Sequence, residues 1–261
     1  PQLPPVSILK PLKGIDPQIW EAFCSHCEQD YPEFQLIFGV SDPEDPAIAL
    51  VRRLQEKYPN RQIDLRVCQR DLGTNRKLST LAQMLPAARH EILLINDSDI
   101  RVAPDYLRSV IAPLADSALG MVTCLYRGIA APTLGSRLEA LGINTDFVPG
   151  VLSARLIERG LHFGLGSTLA FRRSDLQAIG GFEAMVDYLA DDYELGNRIA
   201  ALEKLGAHQA GPIGLSRAIT FVLRADILRE ALAQHPPRTL GEIADAMKTI
   251  NADYTKHSRA A

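Results

Sequence analysis

Two aspartates one residue apart, Asp97-Ser98-Asp99, follow directly on the apolar run Ile92-Leu93-Leu94-Ile95. At the end of a strand both carboxylates can turn toward one hard divalent cation. Mg²⁺ or Mn²⁺ is typically held by one or two carboxylates together with substrate phosphates. A solvated turn is the plain alternative, because Asp and Ser are ordinary turn residues. Asp42 and Asp45 follow a second apolar run, in Ser41-Asp42-Pro43-Glu44-Asp45-Pro46. Helix capping by Asp45 is the plain reading of this cluster, whereas Asp42 is not needed as a cap and its carboxylate could accept from the imide N–H of a uracil. Asp191 and Asp192 open a helical pattern. They either cap it or supply a general base for an attacking hydroxyl, and at a helix N-terminus such a group is expected to be ionised at neutral pH. Lys77 ends the polar loop Asp71-Leu72-Gly73-Thr74-Asn75-Arg76-Lys77 at the start of another helix. A cation there opposes the helix dipole, which points to compensation by an anion such as phosphate, with a solvated surface lysine as the alternative.

These residues need a frame that brings them to one edge. Apolar, β-rich runs at Val6 to Lys10, Gln35 to Val40, Ile63 to Cys68, Ile92 to Ile95 and Gly120 to Cys124 alternate with helical patterns, which predicts successive βαβ units and a mostly parallel, doubly wound α/β sheet. Ligands of such sheets bind beyond the carboxyl ends of the strands, where the acidic groups fall. Asp16-Pro17 and Asp45-Pro46 read as cap pairs opening helices toward Glu28 and Tyr58. Thr133 to Arg159 is a weakly patterned helix mixing apolar residues with arginines, either packed or interfacial. Thr168 to Arg172 is a further short strand, and Asp191 to Leu205 a helix. From residue 206 to 261 the pattern becomes two polar, amphipathic helices, roughly Arg217 to Gln234 and Thr239 to His257, so the expected division is 1–205 and a helical tail, 206–261.

Composition removes several classes. A net charge of −3 and a pI near 6.1 leave no basic footprint for a phosphate backbone, so nucleic acid is not an expected partner. Four cysteines without framework spacing fit a reducing compartment, and Cys24-Ser25-His26-Cys27, lacking a second pair, reads as buried thiols on a helix. Gly164-Leu165-Gly166 starts like a dinucleotide fingerprint but lacks the third glycine and precedes a strand. No run approaches the ~18 apolar residues of a membrane span. The apolar run that begins at Val6, so soon after Pro1, predicts a chain cut from a longer protein.

The ordered set Ser7-Ile8-Leu9-Lys10-Pro11-Leu12-Lys13-Gly14, Asp42-Pro43-Glu44-Asp45-Pro46-Ala47, Gly73-Thr74-Asn75-Arg76-Lys77, Asp97-Ser98-Asp99-Ile100-Arg101-Val102 and Asp191-Asp192-Tyr193 resembles the ceramide glucosyltransferase branch of family 2 glycosyltransferases. It is most similar to the bacterial hopanoid-biosynthesis members. The resemblance runs from Val6 to near Ala200. It implies a GT-A type catalytic domain over 1–205 that uses a UDP-sugar, with Asp45 and Asp42 on the nucleotide and Asp97 and Asp99 on a Mg²⁺- or Mn²⁺-bound diphosphate. Asp192 would be the catalytic base, preceded by Asp191. The implied reaction is inverting transfer of N-acetylglucosamine to a hopanoid lipid, with glucose transfer to ceramide as the sibling activity. The implied place is the cytoplasmic face of a bacterial inner membrane, with transmembrane helices outside this chain. Two departures stand out: Asp191-Asp192-Tyr193 replaces the usual Glu-Asp-Tyr, and the (Gln/Arg)-x-x-Arg-Trp motif is absent, Trp20 being the only tryptophan. A UDP-sugar-binding module of impaired activity is the alternative they leave open.

Overall fold

A computed structural model describes residues 3–130, 133–157, 161–206 and 218–222. They fall into two compact units, one through Cys124 and again from His162 to Phe221, the other starting at Leu125 and running to Leu161.

The first unit is built on seven strands: β1 (Val6–Leu12), β2 (Phe34–Val40), β3 (Gln62–Val67), β4 (Ile92–Ile95), β5 (Leu119–Cys124), β6 (Leu169–Arg172) and β7 (Ala218–Val222). Their order is β3-β2-β1-β4-β6-β5-β7. β1 pairs in parallel with both β2 and β4, and β2 with β3, while β6 runs antiparallel to β4 and β5. The five strands read from the first half of the sequence are therefore present. The one read at Thr168 to Arg172 is the antiparallel member. β2 and β4 are buried at every position, as strands covered on both faces must be.

Helices α1 (Ile19–Cys27), α2 (Ala47–Lys57), α3 (Arg76–Met84) and α4 (Tyr106–Ile111) connect the strands. Phe23 of α1 packs on Phe38 of β2 with ring centroids 4.8 Å apart. A Cβ on the next residue, Gly39, would lie 2.3 Å from the Met84 sulfur and 2.9 Å from the Thr80 methyl of α3. Successive strand residues point to opposite faces, so α1 and α3 cover opposite sides of the sheet and the winding is double. Cys24 and Cys27 are buried free thiols on α1.

Two expectations need correction. Asp16 does not cap α1: the helix begins at Ile19 behind Gln18, whose φ of 61° is left-handed, and no side chain caps it. The Asp16 carboxylate accepts instead from Ser98 Oγ at 2.7 Å, so a tertiary partner displaces the local one. Ala218–Val222, read as the start of a helix, is an edge strand, in keeping with the β-branched and aromatic Ile219-Thr220-Phe221-Val222. The rest of the expected helical tail lies outside the described residues.

After β6 the chain forms α7 (Arg173–Ala178) and, past Gly180-Gly181, the helix α8 (Asp191–Gly206). In the second unit, α5 (Leu134–Gly142), a π turn (Ile143–Phe147) and α6 (Val148–Ile157) run on as the helix expected there. Thr133 caps it by accepting from Ser136 N–H. Leu134, Leu138 and Leu141 lie on one face of α5 and are exposed.

Candidate active site

The site is assembled by two loops that interlock. Gly73-Thr74-Asn75 lies against Val186-Asp187-Tyr188: Asn75 N–H donates to Val186 O (2.7 Å), Asn75 Nδ2 to Tyr188 O (2.8 Å), and Thr74 N–H and Oγ1 to Asp187 Oδ1 (2.9 and 3.2 Å). Gly73 permits the approach, since a Cβ there would sit 2.6–2.8 Å from Val186 and Asp187 side-chain atoms. Asn75 also caps α3 by accepting from Leu78 N–H. The first turn of α3 is thereby set against the start of α8.

This brings Lys77 into a cage of carboxylates. Its Nζ lies 3.1 Å from Asp97 Oδ1, 3.2 Å from Asp192 Oδ1 and 3.4 Å from Asp191 Oδ2. The anion that offsets the unfavourable helix-dipole position is, in the chain itself, this trio. Burial lowers the Lys77 pKa, but Asp192, Asp97 and Asp191 outweigh it and the net shift is upward, so the ammonium stays charged. Three carboxylates against one ammonium leave an excess of negative charge.

Asp192 is still ionised at neutral pH, as expected, but its pKa moves opposite to the lowering that a helix N-terminus alone would give. Desolvation, followed by the charges of Asp191 and Asp97, pushes its pKa up to about 6 in spite of Lys77, which pulls it down. Asp99 is raised too, by desolvation and by the Asp97 and Asp16 carboxylates. Among the described residues no group of three or more His, Cys, Asp or Glu side chains is arranged to hold a metal alone. Asp97 and Asp99 are two hard oxygen donors with excess negative charge around them. That donor set fits Mg²⁺ or Mn²⁺ carried in on phosphates, which keeps positions for substrate oxygens and water.

Asp42 and Asp45 follow β2 at the same carboxyl edge. Asp42 accepts from Glu44 N–H (2.9 Å). Asp45 accepts from Ala47 N–H (2.8 Å) at the start of α2 and from Gly14 N–H (2.9 Å) after β1. Asp45 thus takes up the first N–H of α2 from one residue ahead of its cap position, which falls on Pro46 rather than on Asp45 as read, and it also ties down the β1–α1 loop. Neither residue hydrogen-bonds to the Lys77 cluster.

Sequence reasoning missed several participants. Gly164-Leu165-Gly166, set aside as a failed fingerprint, is a packing device. A Cβ on Gly166 would fall 2.3 Å from Asp192 Oδ2 and 3.3 Å from Asp97 Oδ2, and one on Gly164 would meet Asp192 O at 2.7 Å. Lys10, within the Ser7–Gly14 motif, is a fully buried lysine inside an apolar strand, a signal that could have marked it.

Structural neighbours define the fold. The chain matches a mannosyltransferase from Pyrobaculum calidifontis, solved with GDP-Man and Mn²⁺, with a TM-score of 0.56 at 22% identity over 99% of this chain and 76% of that one. It also matches glucosyl-3-phosphoglycerate synthase from Mycobacterium tuberculosis, solved with Mn²⁺, UDP and phosphoglyceric acid, with a TM-score of 0.50 at 19% identity over 95% and 76%. At these identities the likeness shows the fold, which is the GT-A glycosyltransferase fold. The model of glycosyl transferase family 21 matches residues 1–208, and the chain belongs to that family. Ceramide glucosyltransferase 1 of Caenorhabditis elegans is 30% identical over 198 residues, 74% of this chain and 41% of the relative. The ceramide glucosyltransferase of Komagataella phaffii is 38% identical over 117 residues, 42% of this chain and 23% of the relative. The chain therefore spans less than half of the curated relatives it matches.

Proposed function

We propose that this chain is the donor-binding and catalytic core of an inverting transferase that moves GlcNAc or glucose from a UDP-sugar to a lipid hydroxyl, with a hopanoid as the acceptor. The observation that supports the reading is the bridge from Asp97 through Lys77 to Asp191 and Asp192, three carboxylates around one ammonium, of which this reading takes Asp97 for the diphosphate side and Asp192 for the base. Asp97 and Asp99 would hold Mg²⁺ or Mn²⁺, whose chemistry is to neutralise the diphosphate leaving group. Lys77 provides a second cation for that diphosphate. Asp42 and Asp45 serve the nucleotide end, where Asp45 fixes the loop after β1.

Asp192 takes the proton of the acceptor hydroxyl as its oxygen bonds to the sugar C1. The bond from C1 to the diphosphate oxygen breaks, and UDP leaves with the electron pair. A base with a pKa near 6 is ionised at neutral pH yet binds a proton better than an ordinary aspartate, a balance that favours proton transfer in the transition state. No helix among the described residues is long and apolar enough to cross a membrane. The reading sets this domain at the cytoplasmic face of a bacterial inner membrane, within a longer protein.

The test is transfer of radiolabel from UDP-GlcNAc and UDP-glucose to hopanoid and ceramide extracts by the full-length membrane protein. Labelled hopanoid supports the reading. Label on ceramide alone reassigns the acceptor, and no labelled lipid from either donor rejects lipid transfer.

A further inference from the structure

Lys10 is fully buried in β1, in register with Phe38 and therefore on the α1 face of the sheet. A lone lysine there would carry a heavy desolvation cost unless its donors were used. Its Nζ donates to Asn96 Oδ1 and, at 2.8 Å, to the backbone carbonyl of Asp97. Asn96 is itself fully buried, and its N–H donates to Leu9 O at 3.2 Å, so it extends the β1–β4 pairing one residue beyond Ile95. Its Nδ2 donates to Ser167 O at 2.6 Å. Ser167 follows Gly166, the residue whose missing Cβ leaves room for Asp192 beside Asp97. Thr168 Oγ1 donates to Ser167 O (2.8 Å) and meets Tyr106 Oη at 2.8 Å, while Thr123 Oγ1 donates to Thr168 O (2.8 Å) and accepts from Leu165 N–H (2.9 Å). A continuous buried polar belt thus runs from β1, under the Asp97–Asp99 turn, to the segment that seats Asp192.

We propose that Lys10 and Asn96 are positioning residues for the transfer site: together they clamp the Asp97-Ser98-Asp99 turn to the Gly166–Thr168 segment, so that the turn holds its cation-binding shape before any ligand arrives. Lys10 grips the backbone of the turn at Asp97 and leaves the Asp97 carboxylate to Lys77. Asn96 provides the second grip. The inference rests on Asp97 and Asp99 being the cation-holding pair.

Charge and position act in opposite directions here, which makes the clamp testable. Burial pushes the Lys10 pKa down to about 7, and removing the positive charge that remains there near two carboxylates would, by Coulomb's law alone, tighten binding of a divalent ion. Losing the clamp would loosen it, and outer-shell partners of a metal site are typically worth about 10-fold to 100-fold in metal affinity. The experiment is Mn²⁺ titration in the presence of UDP, read by the electron paramagnetic resonance signal of free Mn²⁺, on the whole chain and its Lys10→Met, Asn96→Leu and doubly substituted variants. Hydrogen exchange of the 97–102 backbone is measured in parallel without metal. The double variant removes both side chains at once and keeps the test open if either single change fails to fold. The expected result is Mn²⁺ affinity weakened about 10-fold or more in every folded variant, with faster exchange across 97–102. Unchanged or tighter Mn²⁺ binding in a folded variant, even with a lower melting temperature, overturns the clamp and leaves only a structural network. Absence of Mn²⁺ binding by the unsubstituted chain overturns the cation-site reading and the clamp with it.

Discussion

The Nζ of Lys77 lies 3.2 Å from Oδ1 of Asp192, a residue 115 positions further along the chain. The same ammonium reaches Asp97 and Asp191, so the three acidic groups meet at one cation and their properties are no longer separable. The strongest expectations concern what happens when members of this group are altered one at a time.

Asp192→Asn keeps the shape of the side chain but cannot accept a proton. In the full-length enzyme kcat should fall by roughly 10²-fold to 10⁴-fold, the usual worth of a positioned base, while UDP affinity by calorimetry stays nearly unchanged. Asp191→Asn should be milder. Equal loss of UDP binding in both would move the pair to the nucleotide or cation site.

The pH dependence should carry the same signature. The Asp192 pKa lies at about 6, above that of an ordinary aspartate, and only the deprotonated form accepts the hydroxyl proton. The rate should therefore fall about tenfold per pH unit below this value and level off above it. Lys77 pulls this pKa down, so Lys77→Met should move the acid limb to higher pH in a pH–rate profile. An acid limb that stays put in Lys77→Met would separate Asp192 from the titration.

Asp99→Asn removes one of the two carboxylate charges proposed to hold the cation. Mn²⁺-assisted UDP binding should weaken, and the dependence of UDP affinity on Mn²⁺ should shrink, measured by calorimetry with and without the ion. Equal UDP affinity with and without Mn²⁺ in the unsubstituted protein would contradict the cation site altogether.

Gly166→Ala tests the seat of Asp192 without touching a charge. The added methyl would lie 2.3 Å from Asp192 Oδ2, so the carboxylate must move. Overpacking of this kind costs about 1–3 kcal/mol, and here the more telling loss should be in kcat, with UDP binding retained. A variant that keeps both its rate and its acid limb would mean that Asp192 needs no fixed position.

The parts of this protein legible in its sequence are those set by short-range physics. Val6 to Lys10 and Ile92 to Ile95 read as strands from their short apolar, β-rich runs, and an Asp-Ser-Asp at the end of one is conspicuous without any structure. The polar loop from Asp71 to Lys77 reads as the opening of a helix, and the ordered motifs carried the ceramide glucosyltransferase likeness. Tertiary structure decided what no local pattern encodes. Gln18 opens α1 because the Asp16 carboxylate is drawn to Ser98, and Ile219 to Val222 form a strand because a sheet edge is there to receive them. Asp192 is held near 6 because burial and the charges of Asp191 and Asp97 act together, and one of those charges comes from a strand end 95 residues away in the chain. Gly164 and Gly166 matter through atoms they lack, which become visible only once α8 and the Asp97 turn crowd against them. Electrostatic shifts and close approach depend on distances through space, and only the folded chain sets those.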